Sequence, residues 1–241
     1  MSKPQVNVVC MKWGTLYGPE YVNKLQSMVA RHLSYPHRFV CLTDDTNGIN
    51  DNVECFDLPQ IKVPAKYDVS PWRKLGMFSK NLADLEGKVL FLDLDVVIVD
   101  SIDAFFDVAN KFTIIENWTQ MGRGIGNSSV YCFEVGAHSD VLEYYNDHMD
   151  EVLTKYANEQ IYLSKKIGDI AFWPDHFCQS YKRHCIPKSI NKFLITPTYK
   201  PGTKIVVFHG RPNPSEAVKG GFYGKWYKYA KAAPWVGEHW Q

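Results

Sequence analysis

The chain has 241 residues, 45% of them hydrophobic and 14% aromatic, enough apolar mass for a sizeable core in one large domain or two small ones. The 27 Lys and Arg against 26 Asp and Glu leave +1, so the overall charge gives no reason to expect a nucleic-acid or membrane partner. No window approaches about 18 consecutive apolar residues and Met-Ser-Lys-Pro-Gln-Val-Asn is no secretory leader, so a soluble cytoplasmic protein is expected.

Val6 to Met11 is a short apolar run, and Lys-Trp-Gly-Thr-Leu-Tyr-Gly-Pro after it marks a loop. Pro19 suits the first turn of a helix that carries Tyr21, Leu25, Met28, Val29 and Leu33 at helical spacing. Strands are expected at Arg38 to Leu42, before Thr43-Asp44-Asp45, and at Val53 to Leu58. Strand, helix, strand is the α/β pattern. Beyond the Pro-punctuated stretch 59–70, Pro71 opens a predicted helix over Trp72 to Leu85, with Leu75, Phe78, Leu82 and Leu85 on one face.

Lys88 to Asp100 follows, a run in which Val89 to Leu92 reads as a strand buried on both faces. Asp93 and Asp95 close it. On an extended segment their side chains project to the same side with Cα atoms roughly 7 Å apart, and carboxylates that close repel unless a cation lies between them. Hard divalent ions prefer oxygen ligands, so Mg²⁺ or Mn²⁺ is the expected occupant.

Ser101 can cap a short helix over Ile102 to Val108, and Phe112 to Ile115 and Ser129 to Val135 are further strands around the glycine-rich loop Gly122 to Asn127. That loop is neither a dinucleotide fingerprint nor a P-loop. Ser139 is expected to cap one amphipathic helix with Val141, Tyr145, Met149, Val152 and Tyr156 on a face, before a second at Asn158 to Lys166. Lys204 to Phe208 is the last predicted strand, ending at His209-Gly210-Arg211-Pro212. The rest is a Lys- and aromatic-rich tail without clear periodicity. Six scattered cysteines without a Cys-x-x-Cys pair read as reduced, mostly buried thiols.

An α/β N-terminal half, a Lys/Arg-bearing helix, the Asp-x-Asp strand, Asn127-Ser128-Ser129, Glu159-Gln160 and a strand-terminal His209 occur in this order. Together they resemble the GT-A fold nucleotide-sugar glycosyltransferases, near the glycogenin and lipopolysaccharide galactosyltransferase group. The resemblance implies a Rossmann-like, mixed but mostly parallel sheet flanked by helices, in one domain over 1–241. About 1–100 would be the nucleotide half and 101–210 the donor-sugar and acceptor half, with 211–241 a tail or lid. It implies a hexosyltransferase, retaining in that group, acting on a nucleotide diphosphate sugar, UDP-linked by expectation, and a glycan, lipid-linked or protein acceptor.

By the same resemblance Asp93, Asp95 and His209 hold Mn²⁺ or Mg²⁺, and Arg73 or, preferably, Lys74 contacts the donor. Asn127 meets the donor sugar hydroxyls and Glu159 stands near the acceptor, suited to a general base or to an oxocarbenium-like centre. Lys12, Tyr17 and Asp44 lie where base and ribose dock at the ends of the first strands. The group's His-Phe-x-Gly-x-x-Lys-Pro-Trp ending is missing, which leaves its phosphate-binding lysine unassigned, with Arg211 or Lys219 as substitutes.

Three other readings stand beside this one. They are a haloacid-dehalogenase-like phosphatase using Asp93 and Asp95, a zinc cluster from His176, Cys178, His184 and Cys185, and a non-catalytic nucleotide-sugar-binding module. The basic, aromatic tail suits a peripheral membrane contact or a lid.

Overall fold

The computed structural model describes residues 3–241. In chain order it contains β1 (Val6–Lys12), α1 (Pro19–His32), β2 (His37–Thr43), β3 (Glu54–Asp57), 3-10 segments at Ala65–Tyr67 and Pro71–Phe78, β4 (Lys88–Leu92), β5 (Val96–Ile98), α2 (Asp103–Val108), β6 (Thr113–Glu116) and β7 (Gly126–Glu134). Then come α3 (Ser139–Asp147), α4 (Met149–Lys155), α5 (Glu159–Ile167), β8 (Ala171–Phe172), β9 (Cys178–Ser180), a π-helical turn (Tyr181–Cys185), α6 (Asn191–Leu194), β10 (Ile205–Val207), α7 (Pro214–Lys219), β11 (Gly221–Phe222), β12 (Tyr229–Ala230) and α8 (Pro234–His239). The chain forms two compact units that interleave along the sequence. The first comprises residues up to Glu20, Tyr35–Asp93 and Phe105–Trp173, and the second Tyr21–Ser34, Leu94–Ala104 and Pro174–Gln241.

A seven-stranded sheet in the order β3-β2-β1-β4-β7-β6-β8 organises the first unit. Strands β3, β2, β1 and β4 are parallel, β7 is antiparallel to β4 and β6, and β8 is parallel to β6. Only β7 in this sheet is reversed. Its N-terminal end therefore lies at the same edge as the C-terminal end of β4, with Leu92 opposite Val130. Alternation along the strands puts Val40, Val9, Phe91, Tyr131 and Ile114 on one face, in the main core. The 3-10 segment at Pro71–Phe78, α3 and α5 supply much of the remainder of that core: Phe78 packs on Phe133 at 5.2 Å between ring centroids and Trp72 stacks on Tyr145 at 5.6 Å. Each such fully buried large side chain contributes roughly 1.5–3 kcal/mol of burial free energy.

Three sequence expectations need correction here. The helix over Trp72 to Leu85 is a 3-10 segment that stops at Phe78. Ser79 turns extended and donates its hydroxyl to the Gly76 carbonyl at 2.8 Å, a local bond that competes with helix propagation, while Leu82 and Leu85 still reach the core from the loop. The single helix after Ser139 is broken at His148 (φ −127°), whose ring stacks on Tyr144 at 4.1 Å and contacts that residue's carbonyl through Nδ1 at 3.1 Å. Its N-cap is His138, without a side-chain cap bond. Finally, the extended run Lys88 to Asp100 ends at Leu92, turns at Leu94 and Asp95 and resumes as β5, so strand alternation does not orient the two carboxylates.

The second unit holds the three-stranded sheet β5-β10-β9 and the hairpin β11-β12. Its C-terminal part, expected to be aperiodic, is folded into elements of two to six residues, too short to register as periodicity. Asn213 and Glu216 form a capping box at the start of α7. Trp240 packs edge-on against Tyr21 at 5.1 Å, with the Lys24 ammonium 3.6 Å from its ring centroid. All six cysteines are free, and all but Cys55 are buried. Among the described residues no helix is long and apolar enough to cross a membrane.

Candidate active site

The C-terminal edge of the parallel strands gathers most of the predicted site residues of the first unit. In an open α/β sheet this edge, where strand order reverses, forms the ligand crevice; here β1 is flanked by β2 on one side and β4 on the other. Lys12 ends β1, buried, and donates to the Asp45 carbonyl at 3.3 Å. The carboxylate of Asp44 accepts from the Gly14 amide at 3.0 Å, tying together the loops after β1 and β2. Tyr17 lies half-buried in the first of these loops.

The neighbouring strand ends carry the charged cluster. Lys74 projects from the 3-10 segment so that its ammonium lies 2.5 Å and 2.8 Å from the two carboxylate oxygens of Asp93, and 3.4 Å from the Ser128 carbonyl. The Asp93 amide donates to the Ser129 carbonyl at 2.9 Å, fixing the end of β4 to the start of β7. Arg73, by contrast, turns outward to an ion pair with Asp68. Asn127, second residue of β7, accepts from the Ser129 amide at 3.2 Å.

Glu159 begins α5, capped by Asn158, which accepts from the Ile161 amide at 3.0 Å. Its carboxyl is only 2% exposed and accepts the Ser128 hydroxyl at 2.9 Å. Burial pushes its pKa up, against the opposing pull of Lys74 and the Ser128 hydrogen bond, and Asp93 adds to the rise. Beside these carboxylates the Tyr131 hydroxyl is buried without a hydrogen-bond partner, its own pKa pushed well up by burial first and then by Asp93 and Glu159. A buried carboxyl whose pKa is raised, held by a hydroxyl and near a lysine, can take up a proton or stabilise a developing positive charge.

In the second unit His209 follows β10, its Nε2 2.6 Å from the Ser180 hydroxyl and its carbonyl accepting from Lys182 on the π-helical turn. Burial, with Lys182 and Arg183 next, lowers its pKa to about 4, so the ring is neutral at physiological pH, the form that ligates metals. Lys182 is half-buried; burial and Lys228 lower its pKa while Asp95 raises it. Asp95 is itself buried. Arg211 is exposed and engaged by Glu216, whose Oε1 accepts from its Nε at 2.7 Å, and Lys219 sits in the last turn of α7.

No protein-family model and no curated protein matches the chain. Solved structures do. The galactosyltransferase LgtC in complex with donor and acceptor sugar analogues matches with a TM-score of 0.58 at 16% identity, over 87% of this chain and 89% of that one. An active-site Gln-to-Glu mutant of LgtC gives 0.61 at 15% identity, over 97% and 94%. The glycosyltransferase GlyE of Streptococcus pneumoniae gives 0.61 at 14%, over 97% of this chain but 60% of GlyE. The fold is of the GT-A type.

Within that fold, sequence reasoning missed three residues: Ser128, Ser180 and Lys182. Ser128 is the middle residue of Asn127-Ser128-Ser129, and only the fold shows that it is buried against Glu159. The π-helical turn that carries Lys182 to His209 has no sequence signature. The proposed zinc cluster finds no support: among the described residues no three His, Cys, Asp or Glu side chains form a group able to hold a metal ion. The same holds for Asp93, Asp95 and His209, although their donor types, two carboxylates and a neutral imidazole, are those that Mn²⁺ or Mg²⁺ takes.

Proposed function

We propose that this protein is a glycosyltransferase that moves a hexose from a nucleotide diphosphate sugar, UDP-linked, to a hydroxyl of a glycan or lipid-linked acceptor. The observation that carries this reading is the buried Glu159–Ser128 pair beside Lys74–Asp93, at the ligand edge of a GT-A type sheet. Residues 1–100 would take the nucleotide, with Lys12, Tyr17 and Asp44 toward base and ribose, and 101–210 the donor sugar and acceptor.

In the transfer the bond between the anomeric carbon and the phosphate oxygen breaks, its electron pair leaving with the nucleoside diphosphate. The acceptor oxygen bonds to that carbon and gives up its proton to the departing phosphate. Glu159 faces the developing positive charge, and retention of configuration is the expected outcome. Ser128 fixes the carboxyl, and Asn127 orients the donor hydroxyls. Lys74 holds the Asp93 carboxylate in place. Asp93, Asp95 and His209 would hold a divalent cation, which when bound neutralises the diphosphate. Lys182, rather than the Glu216-bound Arg211, would supply the adjoining cation, since its ammonium lies at His209 within the influence of Asp95.

Incubation with Mn²⁺ and a panel of nucleotide sugars should give slow donor hydrolysis, and calorimetry should show metal-dependent donor binding. Asp95→Ala should abolish that binding while leaving the fold intact. Release of phosphate from simple esters without any sugar nucleotide turnover would replace this reading with the phosphatase.

A further inference from the structure

The second unit carries an exposed apolar patch that the proposed chemistry does not use. It is assembled from two places in the sequence, the segment around α6 and the β11-β12 hairpin, so only the hairpin half lay in the basic, aromatic tail. Phe193 of α6 stacks on Tyr229 at 4.7 Å between centroids, Lys192 donates to the Tyr227 carbonyl at 2.7 Å and Lys231 to the Leu194 carbonyl at 3.0 Å. These contacts bring Ile190, Leu194 and Ile195 to the same surface as Phe222 and Trp226. Trp226 is 85% exposed and Leu194 66%, and the other three are all more than half exposed. Side chains this apolar, clustered and held open to solvent, mark an interaction surface rather than ordinary scatter.

The charge around them identifies the partner. Residues 176–241 contain eleven Lys and Arg but only Glu216 and Glu238, a local charge of +9. The whole chain is +1, so residues 1–175 carry −8. Lys188, Lys225 and Lys228, all exposed, flank the apolar patch itself. Aromatic and aliphatic side chains projecting among lysines fit an anionic lipid surface, where the apolar groups enter the headgroup boundary and the ammonium groups meet lipid phosphates. A nucleic-acid surface would use the aromatic rings for stacking but has no use for exposed Ile190, Leu194 and Ile195. We infer that the α6 segment and the β11-β12 hairpin together dock the protein on an anionic membrane surface.

Flotation of the full chain with vesicles tests this, comparing phosphatidylcholine alone with phosphatidylcholine mixed with phosphatidylserine. Binding is expected to the mixed vesicles only and to weaken as salt rises. Leu194→Ser with Trp226→Ser should lower partitioning roughly tenfold or more, from the lost apolar insertion. Lys188→Gln with Lys225→Gln should lower it roughly fivefold per lysine and leave the apolar surface untouched, which keeps the test decisive if the first pair disturbs folding. Nucleotide binding in solution should be unchanged in both. No flotation with the mixed vesicles, flotation indifferent to both variants, or tighter retention by a single-stranded oligonucleotide than by vesicles would each overturn the inference.

Discussion

Replacing Glu159 by Gln should make the protein more stable at neutral pH while removing most of its activity. The carboxyl is 2% exposed and its hydrogen bond from Ser128, 2.9 Å long, is one that the amide oxygen of Gln accepts equally well. Burial outweighs the attraction of Lys74, so the site as a whole favours the neutral acid. Between the ordinary glutamate pKa of about 4.3 and the raised folded value, the folded chain binds more protons than the unfolded one. Stability therefore falls as pH rises through that window. The cost is complete above the folded pKa and absent below the unfolded one.

A neutral isostere escapes this cost, a gain of about 1 kcal/mol for relieving a residue kept for function, or about 2–4 °C in Tm for a chain of this size. Thermal melts of both proteins at neutral pH and near pH 3.5, below the glutamate range, give the measurement. The variant should melt higher at neutral pH and the difference should close on acidification. Transfer should fall on the order of a hundredfold or more if the carboxyl meets the reacting sugar. A Gln variant that melts lower than the parent at neutral pH, or keeps its advantage in acid, would refute the reasoning.

Three other outcomes follow from the same geometry. Lys74→Met should cost about 3 kcal/mol, because the Lys74 and Asp93 side chains are only 11% and 19% exposed and the carboxylate would be left uncompensated. Adding Asp93→Asn should restore most of that in urea melts, whereas simple additivity would show that the pair is not coupled. Lys182→Met should weaken nucleoside diphosphate binding about tenfold or more, as loss of a charge-assisted contact does, with nucleoside affinity unchanged in calorimetry; an equal loss for both would place Lys182 away from the phosphates. Gly220→Ala should destabilise the second unit by about 2–3 kcal/mol, since Gly220 has φ +68° and a Cβ there would lie 2.3 Å from the Ala232 nitrogen. An unchanged melting profile would show that the hairpin end can shift to make room.

Strand positions in the N-terminal half were legible because the runs around Val9, Val40 and Leu90 are apolar and bounded by turn residues. The Asp-x-Asp pair was legible through its place after such a run. What strand periodicity could not supply was the turn at Leu94-Asp95, which frees the second carboxylate from strand alternation. Likewise the apolar spacing of Leu75, Phe78, Leu82 and Leu85 fits a helix, yet the chain buries the same four residues with a 3-10 segment and a loop, because burial constrains side chains and not the backbone that delivers them. Spacing alone could not choose between Arg73 and Lys74: adjacent residues on a helical segment point in different directions, and only the structure shows which one faces Asp93.

The parallel strands β1, β2 and β3 also hold Cys10, Cys41 and Cys55 side by side in register. Cys10 and Cys41 are buried and Cys55 partly so, and burial raises the pKa of both Cys10 and Cys55, so these thiols are slow to react while the sheet is closed. They form a row of reporters running from an edge strand to the middle of the sheet. Labelling Cys55 first, with Cys10 and Cys41 following together, would describe an edge strand that peels away from a surviving centre; simultaneous labelling of all three would describe a sheet that opens as one unit.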